Sequence, residues 1–169
     1  TVKADNPELA AHGRFAKKNL LRVIIDPRLE SDLGGDVFRD EHVFVAHTLE
    51  AQKKRVGEFV SAGVAVKSFG LKNISVKKLL AYLGKKSIQS VYVEGGAGVH
   101  GSFYDAALKD PILVDEMLLY IAPKILGGDA KTVVGGRGVG TLGQIRDARF
   151  EEIERIGEDV KLRAVYNVY

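Results

Sequence analysis

The stretch Val91-Tyr92-Val93-Glu94-Gly95-Gly96-Ala97-Gly98-Val99-His100-Gly101-Ser102 joins a short β-branched run to a glycine cluster and a helix-like segment. Gly96, Gly98 and Gly101 spell G-x-G-x-x-G. That pattern lets a backbone approach a pyrophosphate closely and puts the anion at a helix N-terminus. A dinucleotide cofactor is therefore the first expectation, against a purely structural glycine turn. With 19 glycines in 169 residues the spacing also arises by chance, so its surroundings must decide.

Outward from this stretch, apolar runs alternate with helical stripes. Leu21-Arg22-Val23-Ile24-Ile25 reads as a buried strand closed by Asp26-Pro27, and Val43-Phe44-Val45-Ala46 as a second. Thr48 is a suitable cap for a helix whose stripe is Leu49, Val56, Phe59 and Val60. Gly63 ends that helix and Val64-Ala65-Val66 starts a third strand. Ser75 caps a helix with the stripe Val76, Leu79, Leu80 and Leu83, stopped by Gly84. Residues 90–93 form a fourth strand, a helix follows over about 99–108, and residues 117–121 are a fifth strand.

This alternation predicts a parallel sheet with crossover helices. The end of the chain differs. Residues 150–156 and 160–169 are strand-like and separated by Gly157-Glu158-Asp159, which predicts an antiparallel hairpin and hence a mixed sheet. Six glycines between Gly127 and Gly140 mark a long loop that is functional or mobile.

Composition narrows the chemistry. Hydrophobic residues are 46% and charged residues 28%, ordinary values for a globular domain. No run of 18 apolar residues and no signal-peptide pattern occurs, so a cytoplasmic protein without membrane attachment is expected. Without cysteine there are no disulfides, thiolate nucleophiles or cysteine zinc sites. The histidines at 12, 42, 47 and 100 lack metal-site spacing, so no metal is expected. The formal net charge of +3 is scattered over short basic pairs without aromatic platforms. That argues against nucleic acid and suits a phosphate-bearing small ligand.

A Rossmann domain carries its fingerprint in the first strand-turn-helix unit. Three predicted strands precede it here, so the phosphate-cradling physics survives and that topology does not. Glu94 ends a predicted buried strand beside the glycines. Ligands of parallel sheets bind beyond strand carboxyl ends, where a carboxylate accepts bonds from sugar hydroxyls; the alternative is a carboxylate satisfied by neighbouring N–H groups. Asp5-Asn6-Pro7 is a turn signal and His12 reads first as a surface histidine. Asp26-Pro27-Arg28 either faces a cofactor or reverses the chain. No nucleophilic triad stands out. What remains is cofactor chemistry, where the protein supplies positioning, exclusion of water and a proton donor.

Several segments then align together with one family. Thr1-Val2-Lys3-Ala4-Asp5-Asn6-Pro7-Glu8-Leu9 resembles the T-V-x-x-D-[DN]-P-x-L motif of the riboflavin-biosynthesis reductases. These are the C-terminal domains of bifunctional bacterial RibD proteins and their stand-alone archaeal relatives. Residues 21–29 resemble the family's L-R-[VI]-V-[IVL]-D-S-x-L strand, and Val93-Glu94-Gly95-Gly96 its V-E-G-G signature. Tyr120-Ile121-Ala122-Pro123-Lys124-Ile125-Leu126-Gly127-Gly128 resembles its Y-I-A-P-K-x-L-G block.

The resemblance covers nearly the whole chain. It implies a dihydrofolate-reductase-like α/β fold: a mixed, mostly parallel sheet flanked by helices, with a C-terminal antiparallel hairpin. It implies NADPH-dependent reduction of a phosphorylated ribosylaminopyrimidine at the ribose C1′, through a ring-opened imine. The substrate is 5-amino-6-(5-phosphoribosylamino)uracil or, alternatively, 2,5-diamino-6-ribosylamino-pyrimidinone 5′-phosphate. Two other readings are a dihydrofolate-reductase-like reductase for another pterin or pyrimidine, and a non-catalytic nucleotide-binding fragment.

Carried over by position, Thr1 and Asp5 lie near the nicotinamide and the reacting ribose, with Asp5 as proton relay. Leu9 and His12 line the substrate side; bacterial members often have Arg where His12 stands. Glu94 holds substrate hydroxyls. Gly95, Gly96, Ala97, Gly98, Val99, His100, Gly101 and Ser102 wrap the cofactor pyrophosphate. Pro27, in the cofactor region, replaces a family Ser and so lacks its hydroxyl and N–H. Residues 1–169 are expected to be one reductase domain that lacks the family's first strand and helix. Edge pairing through the terminal hairpin predicts a homodimer.

Overall fold

We describe a computed structural model of the chain, covering residues 5–9 and 20–166. It divides into two compact units, residues 1–91 and 92–169.

The first unit holds a parallel sheet of β1 (Arg22–Ile25), β2 (Val43–His47) and β3 (Ala65–Ser68), in the order β1-β2-β3. The described residues of this unit also form helices α1 (Lys53–Ser61) and α2 (Val76–Lys85). The central strand explains its own sequence. Strand side chains alternate between faces. Val43 and Val45 join Ile24, Leu29, Val37, Phe59 and Val64 in one core cluster. Phe44 and Ala46 join Phe69, Leu79 and Leu83 in another. A strand buried on both faces reads as an unbroken apolar run.

Ser75 caps α2 as expected, accepting a bond from the Lys78 N–H at 3.4 Å. Thr48 does not cap α1, which starts five residues later behind Gln52. Thr48 is fully buried instead. Its hydroxyl donates to the Pro27 carbonyl at 2.7 Å, and its N–H donates to the same oxygen at 2.9 Å. This pair of hydrogen bonds ties the end of β2 to the turn after β1. With the helix displaced, Leu49 and Val60 leave the expected stripe and are exposed, while Phe59 keeps its core position. Thr48→Val keeps the shape and deletes one buried bond. It lowers unfolding stability by about 1 kcal/mol in chemical denaturation; an unchanged midpoint would count against this tie.

The second unit holds α3 (Ala97–Ala107) and an antiparallel sheet of β4 (Glu116–Ile121), β5 (Ala148–Ile156) and β6 (Asp159–Tyr166), in the order β4-β6-β5. The predicted hairpin is β5–β6, turned by Gly157 at φ 62°. The α/β class and the presence of both parallel and antiparallel pairing agree with the expectation, but in place of one mostly parallel sheet the described residues form two three-stranded sheets, and residues 117–121 pair antiparallel with β6. Residues 90–93, however, are not a strand. Val91 and Tyr92 are exposed, and β-branched residues form a strand only when neighbours supply a ladder and a packed face.

The register places Met117, Leu119, Ile121, Val160, Leu162, Ala164, Phe150 and Ile153 on one face of this sheet. The other face is charged. Lys161 bonds Glu152 at 2.8 Å, and Arg163 bonds Glu151 at 2.9 Å and Glu116 at 2.7 Å. The Lys161 ammonium holds the Glu152 carboxyl below the usual carboxylate range, and Arg149 does so for Glu151. Carboxylates with depressed native pKa values stabilise the fold above their unfolded pKa and lose that contribution as pH falls through the native one. Melting temperature should therefore drop as pH is lowered below about 4. Lys161→Met should flatten that drop; an identical acid profile in the variant would contradict it.

Candidate functional site

The Glu94-Gly95-Gly96 turn enters α3 directly. Gly95 and Gly96 have φ of 80° and 77°, a backbone that L side chains rarely adopt. Gly96 is the N-cap residue, with no side-chain cap. The first N–H groups of the helix thus have no capping side chain, which is the electrostatic arrangement that attracts an anion. A Cβ on Gly98 would meet nothing within 4 Å, so this side of the first turn is open. The turn thus leaves an uncapped helix start with open space at Gly98, where an anion has room.

The glycines at 95 and 101 have a different reason. A Cβ at Gly95 would collide with the His100 ring. A Cβ at Gly101 would lie 2.5 Å from Gly135 O and Gly136 N. Residues 133–137 dock on α3 here. Gly135 N–H donates to Ala97 O at 2.9 Å, and Arg137 N–H donates to the Asp105 carboxylate at 3.1 Å. His100 Nδ1 lies 2.9 Å from Val133 O, and its Nε2 lies 3.3 Å from Val93 O. The third glycine of G-x-G-x-x-G therefore permits close packing on the helix. The glycine-rich loop, legible only as functional or mobile, is in this part a docked strap.

Glu94 is exposed, and its carboxylate has no hydrogen bond or ion pair among the described residues. It does not end a buried strand, since residues 90–93 are not one. Its charge and that of Tyr120 act on Tyr92. Partial desolvation of the phenol, although the residue as a whole is exposed, and then these two neighbours push Tyr92 above its ordinary pKa, so it stays a neutral donor at neutral pH. Tyr92 is a polar group beside Glu94 that the motifs did not single out. Ser102 spends its hydroxyl proton on Gly98 O at 2.9 Å, which leaves it only acceptor capacity toward a phosphate. Ala97 and Val99 lie in the first turn of α3, with Val99 N–H bonded to Gly96 O.

In the first unit, Asp5 is exposed. Asn6 adopts φ 42° and its side chain accepts from the Asp36 N–H at 2.9 Å, which anchors the segment; Asp5 itself is helical and residues 6–9 are not a regular turn. Leu9 packs against the core cluster around Phe59. Pro27 is exposed, with its carbonyl held by Thr48. Asp26 is buried and accepts from Ser31 N–H at 2.7 Å, which makes Asp26-Pro27-Arg28 a chain reversal. Thr1 and His12 lie outside the described residues. Among the described residues no three His, Asp or Glu side chains converge as a metal site, and no helix is long and apolar enough to cross a membrane.

The turn sets an exposed acid, without a hydrogen bond or ion pair among the described residues, against two positive-φ glycines at a helix entry of an α/β chain. Similarity to known proteins identifies the family. The family model for the RibD C-terminal domain matches residues 1–162, and the chain belongs to that family. It is 35% identical over 98% of its length to the riboflavin biosynthesis protein RibD of Bacillus amyloliquefaciens, covering 44% of that protein. It is 32% identical over 99% of its length to the 2,5-diamino-6-ribosylamino-4(3H)-pyrimidinone 5′-phosphate reductase of Archaeoglobus fulgidus, covering 76% of it. Among solved structures, Acinetobacter baumannii RibD superposes with a TM-score of 0.78 at 25% identity, over 99% of this chain and 45% of that one. The chain thus spans under half the length of these bacterial relatives.

Proposed function

We propose that the chain is an NADPH-dependent reductase of riboflavin biosynthesis that acts at the ribose C1′ of a phosphorylated ribosylaminopyrimidine. The observation that carries this reading is the Glu94-Gly95-Gly96 turn. A carboxylate with no hydrogen bond or ion pair among the described residues stands next to a positive-φ glycine entry into a helix with no side-chain cap. The bound nicotinamide supplies the reducing equivalents. The chain's own residues bind and orient. The backbone of residues 95–98 holds the pyrophosphate, and Glu94 accepts hydrogen bonds from sugar hydroxyls. By the family motif, Asp5 is the proton relay, and Thr1, Leu9, His12 and Pro27 are the further substrate and cofactor residues.

The base in the leading reading is 5-amino-6-(5-phosphoribosylamino)uracil. The archaeal relative's name supports the diaminopyrimidinone as the second reading. Absorbance of NADPH followed with each compound separates the two, and equal rates with unrelated pterins would refute both. A cytoplasmic enzyme is the corresponding location. Phe150 and Ile153, 59% and 68% exposed on the edge strand β5, support a homodimer; sedimentation as a monomer at micromolar concentration would reject it.

A further inference from the structure

We propose that His100 is a positioning residue. It braces the Glu94-Gly95-Gly96 turn against the strap of residues 133–137, so that docking of the strap sets the shape of the turn. The inference rests on the functional reading above for its kinetic consequence, and on geometry alone for the brace itself.

The ring of His100 sits between two backbone carbonyls, Val133 O at 2.9 Å from Nδ1 and Val93 O at 3.3 Å from Nε2. Val93 O belongs to the peptide that leads into Glu94. Val133 opens the strap. The ring also fills the space where a Gly95 side chain would stand, so Gly95 is at once a backbone hinge and the seat of the imidazole. A neutral imidazole has one N–H, so the ring donates to one of these carbonyls at a time and stands in contact with the other.

The strap holds its side of the brace through two backbone N–H groups. Gly135 N–H bonds Ala97 O in the first turn of α3, and Arg137 N–H bonds Asp105 two turns further on. Gly135 itself lies close, since a Cβ there would stand 3.0 Å from Ala97 O. These contacts join one segment to the helix entry, and His100 is the one that reaches across to the Glu94 side. A turn with two glycines in left-handed backbone carries little rigidity of its own. Displacement of a binding turn by even ~1 Å costs orders of magnitude in productive geometry.

The test compares the unsubstituted chain with His100→Ala, His100→Asn, Gly135→Ala and the double variant that combines His100→Ala with Gly135→Ala. Hydrogen exchange is read in residues 92–103 and 131–138, and steady-state kinetics with NADPH and the ribosylaminopyrimidine. His100→Ala is expected to speed exchange in both segments. It should raise KM for NADPH about tenfold with kcat within about twofold. Gly135→Ala should do the same through the other end, and the double variant should fall short of the product of the two. His100→Asn, whose amide can still donate to Val133 O, should restore strap protection and part of KM.

A change in KM for His100→Ala with unchanged exchange and no effect of Gly135→Ala would make the imidazole a direct ligand and overturn the proposal. A fall in melting temperature with exchange of the two segments and KM unaltered would reduce His100 to a stabilising contact and overturn it as well. If the unsubstituted chain shows no turnover, the functional reading fails by itself, and coupled exchange still decides whether the brace exists.

Discussion

Glu94→Ala is expected to lower kcat/KM for the ribosylaminopyrimidine by at least about a hundredfold. The carboxylate is exposed and has no partner among the described residues, so its removal leaves no buried orphan and should leave melting unchanged. Two charge-assisted bonds to sugar hydroxyls, at about 1.5–3 kcal/mol each, account for a loss of that size. Glu94→Gln keeps the shape and one acceptor and should recover part of it. If the bonds are equally strong before and during reaction, the loss appears in KM; if they strengthen in the transition state, it appears in kcat. Asp5→Ala should act on kcat, by the roughly 10²–10⁴-fold typical of a lost proton-transfer group. Wild-type-like kinetics in both variants would remove these residues from the mechanism.

The second large effect is structural. Gly101→Ala inserts a Cβ 2.5 Å from Gly135 O and Gly136 N, both backbone atoms that cannot swing aside. Overpacking of this kind costs about 1–3 kcal/mol, and it should also lift the strap and so weaken NADPH binding. Gly98→Ala, in the same helix and the same motif, meets nothing within 4 Å. Replacing a helical glycine by alanine there should raise stability by about 0.5–1 kcal/mol. Thermal melts of the two variants should shift in opposite directions. Equal shifts would mean that the strap is not seated on α3.

Much of the fold was legible because local signals agreed with one another. The unbroken run Val43-Phe44-Val45-Ala46 announced a strand buried on both faces, and Ser75 with its apolar stripe announced α2. Thr48 misled because a buried hydroxyl can bond a distant carbonyl as readily as it caps a helix. That partner, Pro27 O, is remote in sequence. Residues 90–93 misled because strand propensity says nothing about whether a ladder is available.

The glycine pattern is the clearest case at the site. Gly96 serves the helix entry as read. Gly101 serves a contact with Gly135 and Gly136 that no local pattern encodes. Tyr92, a neutral phenol beside Glu94, and the brace through His100 depend on packing within residues 92–137, which composition and spacing do not report.

The most direct test of the reductase reading is single-turnover reduction with NADPH deuterated at the transferred position. The assay presents each of the two ribosylaminopyrimidine phosphates to the protein and analyses the product by mass spectrometry and NMR. The expected result is oxidation of NADPH only when one of these substrates is present, with deuterium at C1′ of a ribitylamino product. Binding of NADPH with no substrate-dependent oxidation, or deuterium elsewhere in the product, would contradict it.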